Sequence, residues 1–467
     1  MPDGYGAVDP PAGQTRAGPT TQYRCLMTST APVGEPGSPT TGAVPTDDQQ
    51  GSAQTTPEVT PLTAPADGVP RVLDSPSGLA RAVAAFAAGT GPVAVDAERA
   101  SGYRYGQATY LVQMRREGAG TILIDPVALP DLSSLSEALD GVEWVLHAAS
   151  QDLPGLAEQK LVPSAIFDTE LAARILGMER VGLAAVVAEV LGLGLAKEHS
   201  AVDWSTRPLP EAWLLYAALD VEVLVELRDR MAERLEAAGK TEWARQEFEA
   251  VRLAAPSAPR VDPWRRVSGS HTLRQARQLA VVRELWTTRD ENARKRDVAP
   301  GRVLPDRAIV AAAQAMPRTV PALTALPAFS GKGTQRRAVL WQSAIDRALA
   351  LPQSELPTLH GPRSDAPPSP RAWVDRDPLA AARLDAARDL VTRMGEEHHI
   401  PVENLLQPDA LRRLCWTPPE PITPETVTEF LRGRGARAWQ TDLLAGPLAT
   451  ALTEAKVAPP QAPAASA

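Results

Sequence analysis

The seven residues from Pro92 to Glu98 constrain the fold more than any other stretch of the sequence. They read Pro-Val-Ala-Val-Asp-Ala-Glu, and this run of small and β-branched apolar residues after Gly91 predicts a buried strand. Side chains alternate between the two faces of a strand, so Asp96 and Glu98 are expected to point the same way. Two such carboxylates repel each other and lose hydration at the end of a buried strand. We therefore expect them to hold a divalent cation, with further ligands supplied from later in the chain.

Composition restricts the class of protein. The 467 residues are 44% hydrophobic but only 4% aromatic, and they include 45 prolines, which predicts Ala- and Leu-rich helical domains joined by Pro-rich linkers. Cys25 and Cys415 are the two cysteines, which excludes a disulfide framework or a cysteine zinc site. The sequence has neither the pattern of a signal peptide nor an apolar run long enough to span a membrane. We therefore expect a cytoplasmic protein.

The order of predicted elements divides the chain into an α/β domain followed by two helical domains. Strands come first, then strand–helix alternation, then helices, which indicates a mixed sheet with helices packed around it. The predicted segments are a disordered extension (1–66), the α/β domain (67–255), a linker (256–272), a helical domain (273–352), a second linker (353–372), a second helical domain (373–456) and a disordered tail (457–467).

Charge is distributed unevenly along the chain. The formal net charge is −8, yet residues 273–351 contain 14 Lys and Arg against 6 Asp and Glu, a net of +8, so the rest carries −16. A local excess of positive charge bears more directly on polyanion binding than the total does. The first helical domain is therefore the predicted nucleic-acid-binding part.

Two later carboxylates fit the metal hypothesis. Asp152 follows the predicted strand 144–147 and begins a helix, where the alternative is an N-cap role. Asp220 lies in an otherwise apolar stretch of a predicted helix that begins at Pro210, a costly position for an acid that has no partner. Tyr216 precedes Asp220 by four residues, so the two side chains share one helix face.

The resulting set of oxygen ligands points to a particular chemistry. Four carboxylates suit Mg²⁺ or Mn²⁺ rather than zinc or copper. Their charge exceeds that of one divalent ion, whereas two ions about 3.5–4 Å apart would balance it and stabilise both the attacking and the leaving oxygen of a displacement at phosphorus. Tyr216 is then placed to position and activate the attacking water.

These residues carry a family resemblance. Asp-x-Glu on a strand, Asp after a later strand and Tyr-x-x-x-Asp on a late helix resemble the Asp-Glu-Asp-Asp 3′–5′ exonucleases, tyrosine subtype, and within them the ribonuclease D family. Residues 147–153, 167–173 and 203–209 support the resemblance, which covers about residues 70–240. Residues 273–351 are similar, more weakly, to the helicase-and-ribonuclease-D C-terminal (HRDC) domain. Ala97 departs from the threonine usual in the family, and the 1–66 extension has no counterpart there.

The resemblance implies a ribonuclease H-like mixed-sheet exonuclease domain followed by a small all-α HRDC domain. The second small all-α domain is expected to be HRDC-like as well, because residues 382–388 are similar to residues 273–277. It also implies that Asp96, Glu98, Asp152 and Asp220 bind two divalent cations, Mg²⁺ or Mn²⁺, and that Tyr216 orients the attacking water. The implied reaction releases nucleoside 5′-monophosphates from RNA 3′ ends, with tRNA precursors and other stable RNAs as substrates and no obligate protein partner. Two alternatives remain open: a DNA 3′–5′ exonuclease, and a catalytically inactive nucleic-acid-binding scaffold.

Weaker candidates surround the predicted site. His147 ends a strand near Asp152 and either contacts the substrate or is a buried histidine with its polar atoms satisfied. Asp168 begins a helix, where capping is favoured over metal binding. Three further residues in one loop either line an RNA channel or are solvated: Lys197, His199 and Arg207.

Basic residues of the first helical domain are candidates for RNA contact. Lys332, Arg336 and Arg337 lie at a glycine-containing helix start, which suits a sequence-independent phosphate contact. A second basic cluster is expected to be a solvated helix face: Arg289, Arg294, Lys295 and Arg296. The last helical domain has nearly balanced charge, so no RNA contact is assigned to it.

Overall fold

The computed structural model describes residues 59–195, 199, 201–255, 259–361 and 365–457. Most of the predicted N-terminal extension, including Cys25, and most of the predicted C-terminal tail therefore lie outside the described residues. The chain divides into two compact units. The first comprises Thr56–Ala366 and Gly395–Asn404, and the second includes Pro367–Met394 and the residues from Leu405 onward.

A six-stranded mixed sheet forms the centre of the first unit. The strands of the chain are β1 (Thr60–Pro61), β2 (Val72–Leu73), β3 (Thr90–Arg99), β4 (Thr109–Glu117), β5 (Gly120–Ile124), β6 (Glu143–Leu146), β7 (Ala165–Asp168) and β8 (Leu193–Gly194). The sheet has the order β2-β5-β4-β3-β6-β7, while β1 and β8 pair separately. β3, β4 and β5 run antiparallel, whereas β6 and β7 continue parallel to β3. This is the predicted mixed sheet.

The strand that carries Asp96 and Glu98 lies inside this sheet, between β4 and β6. Val93, Ala94 and Val95 are fully buried, as the run of apolar residues predicts. The two carboxylates follow at the C-terminal end of β3, where both are half-buried. The sheet therefore presents them at one end of its most protected strand.

Eight α-helices lie between Pro76 and Arg252 in the described part of the chain. They are α1 (Pro76–Ala88), α2 (Ser133–Ala138), α3 (Leu153–Glu158), α4 (Thr169–Ile175), α5 (Leu183–Leu191), α6 (Glu211–Glu222), α7 (Leu224–Ala237) and α8 (Thr241–Arg252). Ser75 caps α1, because its side chain accepts a hydrogen bond from the amide of Gly78. The predicted helix that begins near Pro210 ends at Glu222, and α7 follows after Val223. Ile166 and Phe167 of β7 pair with Trp144 and Val145 of β6.

The first helical domain has a core of its own within the first unit. Its helices are α9 (Ala276–Arg296), α10 (Pro300–Val303), α11 (Asp306–Ala315), α12 (Val320–Thr324), α13 (Lys332–Gln335) and α14 (Ala338–Ala350). Trp341 and Phe329 are fully buried in this core. Trp264 and Val267, from the segment predicted as a linker, are buried in the same core. Their apolar side chains extend the helical core toward the N-terminus.

The C-terminal part of the chain is helical, as predicted. It contains α15 (Trp373–Arg376), α16 (Pro378–Glu397), α17 (Val402–Leu405), α18 (Pro408–Trp416), α19 (Pro424–Arg432) and α20 (Ala438–Glu454). In the second unit the rings of Trp373 and Trp416 pack with their centroids 4.9 Å apart, and Cys415 is a buried free thiol. No helix within the described ranges is both long and apolar enough to cross a bilayer.

Candidate active site

Three of the predicted ligands lie together between β3 and α6. One carboxylate oxygen from each of Asp96, Glu98 and Asp220 lies within 4.8 Å of the other two. Strand alternation points the first two side chains to one face, and α6 packs against β3 with Asp220 facing them. The donor set contains only carboxylate oxygens, which suits a hard divalent cation. The group can therefore hold a metal ion.

Asp152 lies close to this group without joining it. Its side chain is 6% exposed and makes no capping hydrogen bond to α3, so the geometry does not support the alternative N-cap role. The Arg99 guanidinium lies 3.5 Å from the Asp152 carboxylate and donates a hydrogen bond to the Gln151 carbonyl. Arg99 thus provides positive charge beside the fourth predicted ligand.

The electrostatics of the four carboxylates are those of a site that needs a cation. Burial and the neighbouring carboxylates Asp96, Asp220 and Asp152 raise the pKa of Glu98 well above its usual value. Burial and the charge of Asp96 likewise raise the pKa values of Asp152 and Asp220 well above the usual range. Burial also raises the pKa of Asp96, although a hydrogen bond from Gln113 opposes the rise. Bound cations would relieve this repulsion.

Gln113 supports the site and was missed from the sequence. It lies on β4 directly opposite Asp96, is fully buried, and donates from Nε2 to Asp96 Oδ2 at 2.7 Å. Gln113 Oε1 is buried without a hydrogen-bond partner. A glutamine in the otherwise apolar run 110–114 was the available signal, because a buried amide requires a polar partner.

Tyr216 lies on α6 one turn before Asp220, as the spacing predicts. Its hydroxyl lies near the Asp220 carboxylate, which acts on it electrostatically. Burial and the nearby charges of Asp220 and Glu98 raise the pKa of Tyr216, so the hydroxyl stays protonated. Its ring packs against Trp204, with centroids 6.4 Å apart. A neutral, packed tyrosine can orient a water but does not itself remove a proton from it.

The two polar residues nearest the ends of β6 and β7 have structural partners. Asp168 caps α4 by accepting hydrogen bonds from the amides of Glu170 and Leu171, which agrees with the favoured interpretation. The side chain of His147 is in hydrogen-bond contact with Thr169, 2.9 Å away. Burial lowers the pKa of His147 to about 4, so the imidazole is neutral near pH 7. These contacts favour a buried histidine with its polar atoms satisfied over a substrate contact.

The structure also describes two of the three loop residues that were candidates for lining an RNA channel, Arg207 and His199. Arg207 makes a bidentate ion pair with Asp125, with nitrogen–oxygen distances of 2.7 and 2.8 Å, and also donates to the Tyr110 carbonyl. This pairing fastens the loop to the sheet instead of leaving the guanidinium free in a channel. The His199 ring lies edge-on to Tyr216, with centroids 6.2 Å apart. Lys197 lies outside the described residues.

The two basic clusters of the helical domain meet in space. Arg336 is exposed, and the charges of Arg296 and Arg336 act on Arg337. Burial and these two positive neighbours lower the pKa of Arg337. Arg289, predicted to be solvated, is instead buried and forms a 2.5 Å ion pair with Asp306, because α9 packs against α11 at this position. Arg296 of the second cluster therefore lies near Arg336 and Arg337 of the first.

Comparison with known protein families accounts for nearly the whole described chain. Residues 70–236 match the family profile described as 3'-5' exonuclease, and residues 278–345 match the HRDC domain. Residues 366–452 match a profile described as 3' to 5' exonuclease C-terminal domain. The predicted mixed-sheet exonuclease domain followed by an HRDC domain is therefore confirmed.

Curated relatives and solved structures point to the same family as the family profiles do. The chain is 36% identical over 209 residues to ribonuclease D of a Shewanella species and spans only 54% of that protein's length. It is 32% identical over 343 residues to ribonuclease D of Gluconacetobacter diazotrophicus, which is 71% of this chain and 82% of the relative.

A crystal structure of a protein from Bifidobacterium adolescentis superposes with a TM-score of 0.78 at 40% identity, covering 85% of this chain and all of that one. Escherichia coli RNase D, described as an exoribonuclease involved in structured RNA processing, superposes with a TM-score of 0.59 at 26% identity, covering 82% of this chain and 98% of that one. These matches confirm the resemblance drawn from the motifs and favour an exoribonuclease over the two alternatives. The chain belongs to the ribonuclease D family.

Proposed function

We propose that this protein is a metal-dependent 3′–5′ exoribonuclease that releases nucleoside 5′-monophosphates from the 3′ ends of RNA. The observation that carries the proposal is the convergence of Asp96, Glu98 and Asp220 within 4.8 Å, with Asp152 alongside and Tyr216 one helical turn before Asp220. The ribonuclease D relatives supply the reaction class and the choice of RNA.

The proposed cofactor is a pair of divalent cations, Mg²⁺ or Mn²⁺, held by Asp96, Glu98, Asp152 and Asp220. The pair would supply positive charge to the attacking and leaving oxygens. Four clustered, desolvated carboxylates support this assignment, because their charge matches two divalent ions and exceeds that of one. Arg99, which lies beside Asp152, would offer positive charge to a phosphate oxygen of the substrate.

The protein's own groups act on the water and on the substrate. The Tyr216 hydroxyl keeps its own proton and accepts a hydrogen bond from the attacking water, which fixes the direction of attack. The water oxygen bonds to the terminal phosphorus and releases one proton to solvent. The bond from this phosphorus to the 3′ oxygen of the preceding nucleotide breaks, and that oxygen takes up a proton from solvent. The products are one nucleoside 5′-monophosphate and an RNA shorter by one residue with a free 3′ hydroxyl.

The helical domain would hold the RNA upstream of its 3′ end. Lys332, Arg336 and Arg337, with Arg296 beside them, offer positive charge to phosphates without reading sequence. His147 is a weaker candidate for contact, because Thr169 already occupies one ring nitrogen. We further propose tRNA precursors and other stable RNAs as substrates, a cytoplasmic location and activity without an obligate protein partner. The C-terminal helical domain is proposed as a second HRDC-like domain.

The test is a time course on an RNA with a 3′ extension, labelled at its 5′ end. The reaction is run with Mg²⁺, with Mn²⁺ and with a chelator, using wild type, Asp96→Asn, Tyr216→Phe and Asp140→Asn. Asp140 is an exposed acid outside the carboxylate group and serves as the matched control. A DNA strand of the same sequence tests whether the protein prefers RNA to DNA.

The expected result is a ladder that shortens from the 3′ end, is absent with chelator and with Asp96→Asn, and is unchanged in the Asp140 control. We expect Tyr216→Phe to slow the reaction by about 10²-fold, the effect typical of a misplaced reacting group. Equal rates on DNA would favour the DNA exonuclease. An intact substrate in every lane, with RNA retained on a filter, would favour the inactive scaffold.

A further inference from the structure

The loop between β3 and β4 joins the metal-ligand strand to the HRDC domain within one compact unit. Asp297, which ends α9, accepts hydrogen bonds from the Tyr105 amide at 3.2 Å and from Arg104 Nη1 at 3.4 Å. Arg302 donates to the Gly102 carbonyl at 2.6 Å. This loop begins directly after the strand that carries Asp96 and Glu98, so the HRDC domain contacts the chain a few residues from the predicted ligands.

Aromatic side chains reinforce the same contact. The Arg302 guanidinium lies 4.1 Å from the centre of the Tyr103 ring. The Tyr105 hydroxyl lies 3.1 Å from both carboxylate oxygens of Asp290 and also bonds to Arg294. Backbone and side chains of three consecutive loop residues thus have partners on the helical domain.

Arg104 differs from its neighbours because it also contacts a second loop of the exonuclease domain. Its Nε donates to Ser205 Oγ at 2.7 Å, and Ser205 Oγ in turn donates to Asp203 at 2.5 Å. The Ser205 amide donates to the same Asp203 oxygen. One guanidinium therefore links the end of α9 to the tight turn 203–205.

The turn held by Arg104 carries Trp204, which packs directly on the tyrosine of the site. Trp204 is fully buried, and its ring centroid lies 6.4 Å from Tyr216 and 5.5 Å from Trp213. Leu111, Leu123 and Ala217 are buried in the same cluster. Because the cluster is close-packed, a shift of the turn changes the position available to the Tyr216 ring.

We infer that Arg104 is a positioning residue for catalysis: by linking Asp297 of the HRDC domain to Ser205, it fixes the turn 203–205 and through Trp204 the orientation of the Tyr216 hydroxyl. The inference rests on the proposed function and extends it, because it makes the docked HRDC domain necessary for turnover itself. The domain then acts even on a substrate too short to reach its basic surface.

The side-chain exposure indicates that Arg104 acts through geometry and adds little to stability. Arg104 and Asp297 are 40% and 53% exposed, and ion pairs this exposed contribute little to stability. Removal of Arg104 should therefore leave the protein folded. A misplacement of about 1 Å at a catalytic group can nevertheless slow a reaction about 10²-fold.

The experiment measures kcat and KM on a ribodinucleotide for wild type, Arg104→Ala, Arg104→Lys, Ser205→Ala and Arg302→Ala. Arg302→Ala is the matched control, because it removes an arginine from the same domain contact without touching the turn 203–205. Melting temperature and the affinity for Mn²⁺, measured by calorimetry, provide readouts that do not depend on activity.

We expect Arg104→Ala and Ser205→Ala to lower kcat about tenfold, with KM and Mn²⁺ affinity within about twofold of wild type, which corresponds to about 1.4 kcal/mol at the transition state. Arg104→Lys should recover part of the loss, and Arg302→Ala should retain wild-type kcat. Wild-type kcat in Arg104→Ala, or an equal loss in Arg302→Ala, would overturn the inference. Failure of the wild type to cleave the dinucleotide would instead count against the proposed function.

Discussion

Replacement of Glu98 by glutamine should stabilise the metal-free protein while it abolishes activity. Glu98 has carboxylate oxygens of Asp96 and Asp220 within 4.8 Å. At that distance two unit charges repel by about 3 kcal/mol at an effective dielectric constant of 20. The repulsion energy has an upper limit, because Glu98 can take up a proton instead of staying charged. Protonating an ordinary glutamate near pH 8 costs about 5 kcal/mol. We therefore expect Glu98→Gln to raise the free energy of unfolding by about 2–4 kcal/mol with chelator present.

The pH dependence of this gain has a definite sign. Burial and neighbouring carboxylates raise the pKa of Glu98 well above the value in the unfolded chain, so the folded protein binds more protons than the unfolded one at pH values above about 4. Stability contributed by this group therefore falls as the pH rises toward 8. The advantage of Glu98→Gln over wild type should be small near pH 5 and largest near pH 8.

Thermal denaturation with chelator and with millimolar Mg²⁺ provides the assay. Wild type should gain several degrees on addition of Mg²⁺, whereas Glu98→Gln should start higher and gain less. Glu158→Gln, at an exposed helical position, is the control and should follow wild type under both conditions. If Glu98→Gln melts no higher than wild type in chelator near pH 8, the carboxylates do not repel one another as argued.

Three further predictions follow from individual contacts. Gln113→Leu removes the side chain that donates a hydrogen bond to Asp96. We expect the protein to stay folded and its Mn²⁺ affinity, measured by calorimetry, to fall about 10- to 100-fold. An unchanged affinity would exclude the supporting role of Gln113. Burial lowers the pKa of His147 to about 4, so on acidification the unfolded chain takes up a proton at this histidine before the folded protein does. Lowering the pH from 7 to 5 should therefore reduce the free energy of unfolding of wild type by about 2 kcal/mol through this group. Denaturant titrations should show that His147→Gln does not have this loss. Combined replacement of Lys332, Arg336 and Arg337 by alanine should reduce the slope of log affinity against log salt for single-stranded RNA by about 2, and an unchanged slope would exclude the phosphate contact.

Periodicity within single elements was enough to predict which carboxylates share a face. Alternation along a strand placed Asp96 and Glu98 together, and the helical repeat placed Tyr216 one turn from Asp220. These relationships depend only on backbone geometry over a few residues, so they could be read before any packing was known. The convergence of β3 with α6 came from the family resemblance, since neither repeat specifies it.

The partners of buried and half-buried charges could not be predicted from the sequence. Arg207 was a candidate for the RNA channel, yet its bidentate pair is Asp125, 82 residues away. Arg289 was expected in solvent and pairs with Asp306 in the interior. In each case the local charge pattern fits both a solvated or RNA-binding arginine and a paired, buried one. Only the packing of distant elements decides whether the guanidinium loses its water and pairs with a carboxylate.

The sequence by itself was enough to predict a metal site and a separate basic helical domain. The prediction used a strand and a helix that each carry acids on one face, and a ligand set made of oxygen atoms alone. The tertiary structure alone decided what surrounds that chemistry. It set the register that puts Gln113 beside Asp96, the approach of Arg99 to Asp152, and the link through Arg104 from the HRDC domain to the turn beside Tyr216. The physical reason is that backbone periodicity acts over a few residues, whereas burial and charge pairing depend on groups that only folding brings together.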